Sequence, residues 1–117
     1  MAKLKLNFSK YKEAQDMIRL IEKVKEIPAE QAIDFSINQR NCSRIIDTGW
    51  ASIALSLWGH DDPERKRLLL EDPCIVVELS DEKIELITKV KAKEGVNQEI
   101  AVSYFLLFTM ESLGYHI

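Results

Sequence analysis

Polar and apolar residues alternate at the start of the chain. Leu4, Leu6 and Phe8 are interleaved with Lys3, Lys5 and Asn7. A period of two predicts a short strand with one apolar and one polar face. The spacing then changes: Tyr11, Ala14, Met17, Ile18, Ile21 and Val24 keep helical intervals. An amphipathic helix is expected here, capped by Ser9 and reaching about Glu26. Pro28 ends it, because the residue before a proline is pushed out of the helical region, and it suits the first turn of a new helix. Ala32, Ile33, Ser36 and Ile37 share one face of that second helix, although Ile33, Phe35 and Ile37 would also fit a strand.

From Asn41 onward, Ile45, Ile46, Trp50, Ile53, Ala54 and Leu57 return to helical spacing, with Gly49 interrupting. A strand over 51–58 is the alternative, since Ile53, Leu55 and Leu57 alternate. The run Gly59 to Pro63 is a break. Asp62 as a cap and Pro63 behind it predict a short helix through Leu70. After Asp72 and Pro73, the β-branched run Ile75 to Leu79 reads as a second strand. Ser80 caps a helix that opens with Asp81 and Glu82, buries Ile84, Ile87 and Val90, and closes at Gly95. Asn97 caps the last helix, and Gly114 stops it. Between Ile100 and Met110 only Ser103 and Thr109 interrupt the apolar residues. A helix apolar on every side must be covered on every side, and this one is far shorter than the ~20 residues of a membrane span. It is expected to be the centre of the core.

The two ends of the chain echo one another. Phe8-Ser9 and Leu79-Ser80 each close a strand and cap a helix, 71 residues apart. Beyond them the offset becomes 69: Ile21 matches Val90, Ile27 matches Val96, Ala32-Ile33 matches Ala101-Val102, and Ile37 matches Leu106. The expectation is one domain over 1–117, with strand–helix–helix units at 1–44 and 72–117 and a helical connector over 45–71. In such a chain the strands at 3–8 and 74–79 pair antiparallel. The fold class expected is α-rich α/β, with two short strands and four or five helices.

Residues 79–100, LSDEKIELITKVKAKEGVNQEI, carry a strand end with a Leu-Ser-Asp-Glu cap, a helix with Ile84, Ile87 and Val90 in register, and a Gly95-Val96-Asn97 turn into a second helix. In these features residues 75–113 resemble a ribbon-helix-helix module. The resemblance implies two strands forming a ribbon in the DNA major groove, with outward strand residues reading bases. By position these are Cys74, Val76 and Glu78, with a phosphate contact near Asn97. Glu78 would meet the phosphates as a like charge, and Val76 offers no hydrogen bond to a base edge. The first strand is better suited, since Lys3, Lys5 and Asn7 share a face, but its second helix begins at Pro28, which has no amide for a phosphate.

Composition narrows the function classes. The 117 residues carry a net charge of −3, so bulk charge does not draw the chain to nucleic acid or to an anionic membrane. With 46% hydrophobic and 30% charged residues, the chain should fold to a globule. The opening residues MAKLKLNFSKYKEA have no secretory signature, and a cytoplasmic location is expected. Cys42 and Cys74, 32 residues apart, are expected to be two buried free thiols.

Catalytic chemistry finds little support. His60, Asp61 and Asp62 fit a polar turn better than a general base. Zinc would want four ligands, and His60, His116, Cys42 and Cys74 have no paired spacing. No catalytic residues, cofactor or metal are expected, and the chain is not expected to be an enzyme. Arg65, Lys66 and Arg67 form the one compact basic run. With Lys3, Lys5 and Asn7 they would make the nucleic-acid face of a DNA-binding regulator. Trp50 and Trp58 are expected in the core, although aromatics near a break often anchor interfaces, and they are the residues put forward to meet a protein partner. The favoured reading is a small non-catalytic regulatory or inhibitory protein of immunity, anti-defence or antitoxin type, acting on a protein partner. The alternative is a ribbon-helix-helix-type DNA-binding transcriptional regulator. No membrane association is expected, and a homodimer is expected, to cover the apolar last helix.

Overall fold

The computed structural model describes residues 2–60 and 62–115. Asp61 and His116, invoked above for metal or acid–base chemistry, lie outside the described residues. Among those described, the elements run β1 (Ala2–Asn7), α1 (Lys12–Lys25), α2 (Ala29–Ser36), α3 (Gln39–Thr48), α4 (Ala51–Ser56), β2 (Cys74–Leu79), α5 (Asp81–Glu94) and α6 (Gln98–Ser112). This is an α-rich α/β fold with six helices and one two-stranded antiparallel sheet.

The sheet follows from the alternation at each end. β1 and β2 pair in the register Lys3 opposite Glu78, Leu4 opposite Val77, Lys5 opposite Val76, Leu6 opposite Ile75 and Asn7 opposite Cys74. Leu6, Ile75, Val77 and Leu79 turn inward and are buried, while Lys3, Lys5, Asn7, Cys74, Val76 and Glu78 stand outward. A slip of one residue would reverse both faces, so the apolar pattern pins this register.

Each strand leads into a pair of helices. α1 and α5 both run fourteen residues. Both end on a left-handed residue, Glu26 at φ 56° and Gly95 at φ 66°, 69 positions apart. α2 and α6 begin three residues later in each case. Ser80 and Asn97 cap α5 and α6 by accepting the N–H of Lys83 and Ile100. Ser9 does not cap α1. Its own N–H donates to the Asn7 side chain, and Tyr11 stands at the cap position.

α6 is the centre of the molecule. Its ten consecutive residues from Ala101 to Met110 are all buried, and it packs on all five other helices. Burying each Phe or Leu contributes ~1.5–3 kcal/mol. Its two polar interruptions are satisfied: Ser103 donates to Glu99 C=O at 2.7 Å, and Thr109 Oγ accepts from the buried Asn41 amide at 3.0 Å. A single chain supplies this covering: α6 is enclosed by the other five helices.

Two expectations about the middle of the chain change. The helix expected from Asn41 to Leu57 is two helices, because Gly49 adopts φ 68° and ends α3 before α4 turns away. Residues 51–58 are therefore not a strand, and neither are 33–37, which belong to α2 and its cap. The helix expected from Asp62 to Leu70 does not form. Only a turn appears there, after which the chain runs irregularly to β2. The backbone donors that a helix would need are drawn away: Leu68 N–H donates to Asp16 at 2.8 Å and Leu70 N–H to Gln15 at 3.1 Å. Tertiary hydrogen bonds have overridden local propensity.

Candidate functional site

The outer face of the ribbon holds the first set of proposed site residues. Lys3, Lys5 and Asn7 do share one exposed face. Lys3 Nζ lies 3.9 Å from the Glu78 carboxylate, and both side chains are mostly in solvent. Lys5 faces Val76, and Asn7 faces Cys74. The edge of β1 is covered from α6: Gln98 Nε2 donates to Lys5 C=O at 2.8 Å, and Asn7 N–H donates to Glu99 at 3.1 Å. Asn97, the position matched to a phosphate contact, is engaged at both ends of its amide. Its oxygen caps α6, and its nitrogen donates to the Tyr11 hydroxyl at 2.9 Å. Acidic residues stand in the first turns of both flanking helices, Glu30 on α2 and Glu99 on α6.

The basic run lies elsewhere and is largely built into the fold. Asp16 on α1 is fully buried. It accepts from the Trp58 indole at 2.7 Å, from Arg65 at 3.1 and 2.6 Å, and from Leu68 N–H. Burial acts to raise its pKa, but the Arg65 hydrogen bond, then those of Leu68 and Trp58, outweigh it and hold the carboxyl below its usual value. Arg67 bridges Glu13 at 3.1 Å and Trp58 C=O at 3.0 Å. Lys66 alone of the three is exposed, and Arg65 and Arg67 face α1.

The two tryptophans separate. Trp58 is 4% exposed and tied to Asp16, which makes it a core residue. Trp50 is 37% exposed, with its ring 5.4 Å from that of Phe108. Ile53 and Leu57 follow it at helical spacing and are 63% and 53% exposed. Together they form a short apolar stripe along the outer side of α4. Isolated apolar residues on a surface are ordinary, but a contiguous stripe is a feature of interaction sites.

Chemistry-bearing side chains stay apart. Among the described residues no group of three or more His, Cys, Asp and Glu side chains could hold a metal ion. His60 and Asp62 are exposed. Both cysteines are free. Cys42 is buried as expected, and burial pushes its thiol pKa up against the opposing influence of Lys89. Cys74 is exposed, contrary to expectation, because strand alternation turns it outward with Val76. Among the described residues no helix is long and apolar enough to cross a membrane.

Two buried polar residues that the apolar pattern does not single out, Asp16 and Gln15, hold the connector before β2. Gln15 lies four residues after Tyr11 and three before Ile18, on the apolar face of α1, and a polar group there must be hydrogen-bonded. It donates to Phe8 C=O at 2.7 Å and accepts from Leu70. No family model matches the chain, and neither a curated protein nor a solved structure matches it.

Proposed function

We propose that this chain is a small non-catalytic regulatory or inhibitory protein that works by binding a protein partner. The observation that carries this reading is the apolar stripe of Trp50, Ile53 and Leu57, held outward on α4 by its packing on α6. Aromatic and aliphatic side chains of this kind, next to a rigid core, are the usual anchors of protein interfaces. The fate of the basic residues supports the same reading. Nucleic-acid affinity grows from several phosphate neutralisations together. Here Arg65 and Arg67 neutralise Asp16 and Glu13 instead, and Lys3 faces Glu78.

A second reading is a ribbon-helix-helix-type DNA-binding regulator. It is favoured by the alternation of Lys3, Lys5 and Asn7 on an exposed antiparallel ribbon flanked by two helix starts. Glu78, Glu30 and Glu99 beside that ribbon oppose it.

Two assays decide between them. Recovery of one host protein at micromolar concentration by the parent chain, and its loss on replacing Ile53 and Leu57 by Glu, is the expected result. No recovered partner would remove the first reading. A gel shift on the gene's own upstream DNA, weakening steeply as salt rises, would establish the second in its place.

A further inference from the structure

The geometry points to a binding site for a small hydroxylated organic acid, in the cleft where the ends of α1 and α6 meet the start of α3. The ligand class is one carboxylate and one hydroxyl on a ring-sized body. The site shares no residue with the α4 stripe, so it goes beyond the protein-partner reading and is tested apart from it.

The cavity has a volume of about 210 Å³ and opens to solvent on one side. An apolar cavity of about 150 Å³ holds benzene, so this one has room for a ring with two small substituents. Its floor is made by Asn41 and Thr109, which are 3% and 2% exposed. The Asn41 amide nitrogen donates to Ser36 C=O at 2.8 Å and to Thr109 Oγ at 3.0 Å, which fixes the orientation of the amide. Asn41 Oδ1 then accepts no hydrogen bond among the described residues, and the Thr109 hydroxyl hydrogen has no acceptor there. Oδ1 is not one of the oxygens sealed from solvent, so the cavity is the space it opens to. A buried polar side chain with an unused acceptor calls for a donor from outside the fold. Ser112 beside it gives its hydrogen to Phe108 C=O at 3.1 Å and keeps oxygen lone pairs for the same use.

The rim supplies charge of one sign. Lys25 and Arg40 both line the cavity, and no Asp or Glu does. Neither cation makes an ion pair among the described residues. Lys25 Nζ lies over the Phe35 ring at 4.9 Å from its centroid, a contact that leaves the ammonium hydrogens free. Glu22, one turn before Lys25, is turned to Arg19, and Glu111, beside Ser112, to Arg44. Two unpaired cations at one cavity mouth, in a chain of net charge −3, select an anion. Asn41 and Ser112 select a hydroxyl, and Phe35 and Leu113 provide apolar wall for the body between. A bare inorganic anion would meet only the first of these requirements.

The test uses the full chain, isotope-labelled for NMR, with para-hydroxybenzoate as the probe. Titration should shift the Asn41 side-chain amide and the backbone amides of Arg40, Thr109 and Ser112, saturating at millimolar probe or below. Benzoate, which lacks the hydroxyl, and para-hydroxybenzyl alcohol, which lacks the charge, should each bind about tenfold more weakly. Lys25→Met and Arg40→Met should each weaken the probe about two- to fivefold, and urea unfolding of both should stay close to that of the parent. Unchanged binding in both variants, equal binding of the neutral alcohol, or shifts confined to other residues overturns the site. So does the lack of any saturable shift at millimolar probe. Inorganic phosphate giving the same shifts with equal affinity also overturns it, since that assigns the cleft to a bare anion.

Discussion

Arg65 grips the buried carboxylate of Asp16 with both ends of its guanidinium, Nη1 at 3.1 Å from one oxygen and Nη2 at 2.6 Å from the other. Through this pair, the connector before β2 is fastened to a helix that lies about fifty residues earlier in the chain. Trp58 and Leu68 donate to the same carboxylate, so one side chain holds the connector at three points. Asp16→Asn keeps the shape but turns an NH2 group toward these donors. The loss expected is about 2–3 kcal/mol, since removing one member of a buried, hydrogen-bonded charge pair leaves the others unpaired. Urea unfolding measures it, and proteolysis in 59–73 should become faster in the variant.

The same carboxyl sets an acid dependence. Its pKa is held below the ordinary value in the folded chain and returns to about 3.9 on unfolding. A depressed folded pKa gives stability that is fully present above the unfolded value and fades as pH falls through the folded one. The stability difference between parent and Asp16→Asn should therefore be flat above about pH 5 and shrink below about pH 4. A difference that stays constant to the acid limit would refute this.

Glu26 ends α1 in the left-handed region at φ 56°, where glycine is at ease and a residue with a Cβ is not. Glu26→Gly should stabilise the chain by about 0.5–1 kcal/mol. Gly95→Ala, at the matching stop of α5, should cost about 1 kcal/mol in the opposite direction. Thermal denaturation of both variants checks the sign.

Thiol labelling distinguishes the two cysteines. Cys74 is exposed on the ribbon, whereas Cys42 is buried with its pKa raised. One thiol per chain should react with a maleimide in native buffer and the second only in denaturant. Cys74→Ser should abolish the native reaction.

The α4 stripe and the core beneath it should respond differently. Ile53→Ser with Leu57→Ser touches exposed positions and should change stability by no more than about 0.5 kcal/mol each. Phe108→Ala, directly beneath Trp50, should cost about 3–5 kcal/mol. Calorimetry of the two variants, beside partner recovery by the first, separates binding from folding.

Period and capping carried much of the fold into view. Leu4, Leu6 and Phe8 against Ile75, Val77 and Leu79 announce two strands and which side of each is inward. The unbroken run around Phe105 to Phe108 announces the central helix. The stretch from Gly49 to Leu70 was harder to read, because its shape depends on partners distant in the chain. Asp62-Pro63 is a sound helix start, and nothing local shows that Leu68 and Leu70 donate to Asp16 and Gln15 instead. The candidate surfaces divide in the same way. The outward set Lys3, Lys5 and Asn7 follows from alternation, whereas the engagement of Trp58, Arg65 and Arg67 depends on α1.

The pairing of β1 with β2 joins the second residue of the chain to the seventy-ninth, and the central helix follows later still. During synthesis at about 5–20 residues per second, the first strand waits several seconds for its mate. A ribosome halted before Cys74 would hold helices with neither a sheet nor their central support. Such a nascent chain has to be shielded or quick, and the core around α6 closes only when that helix emerges.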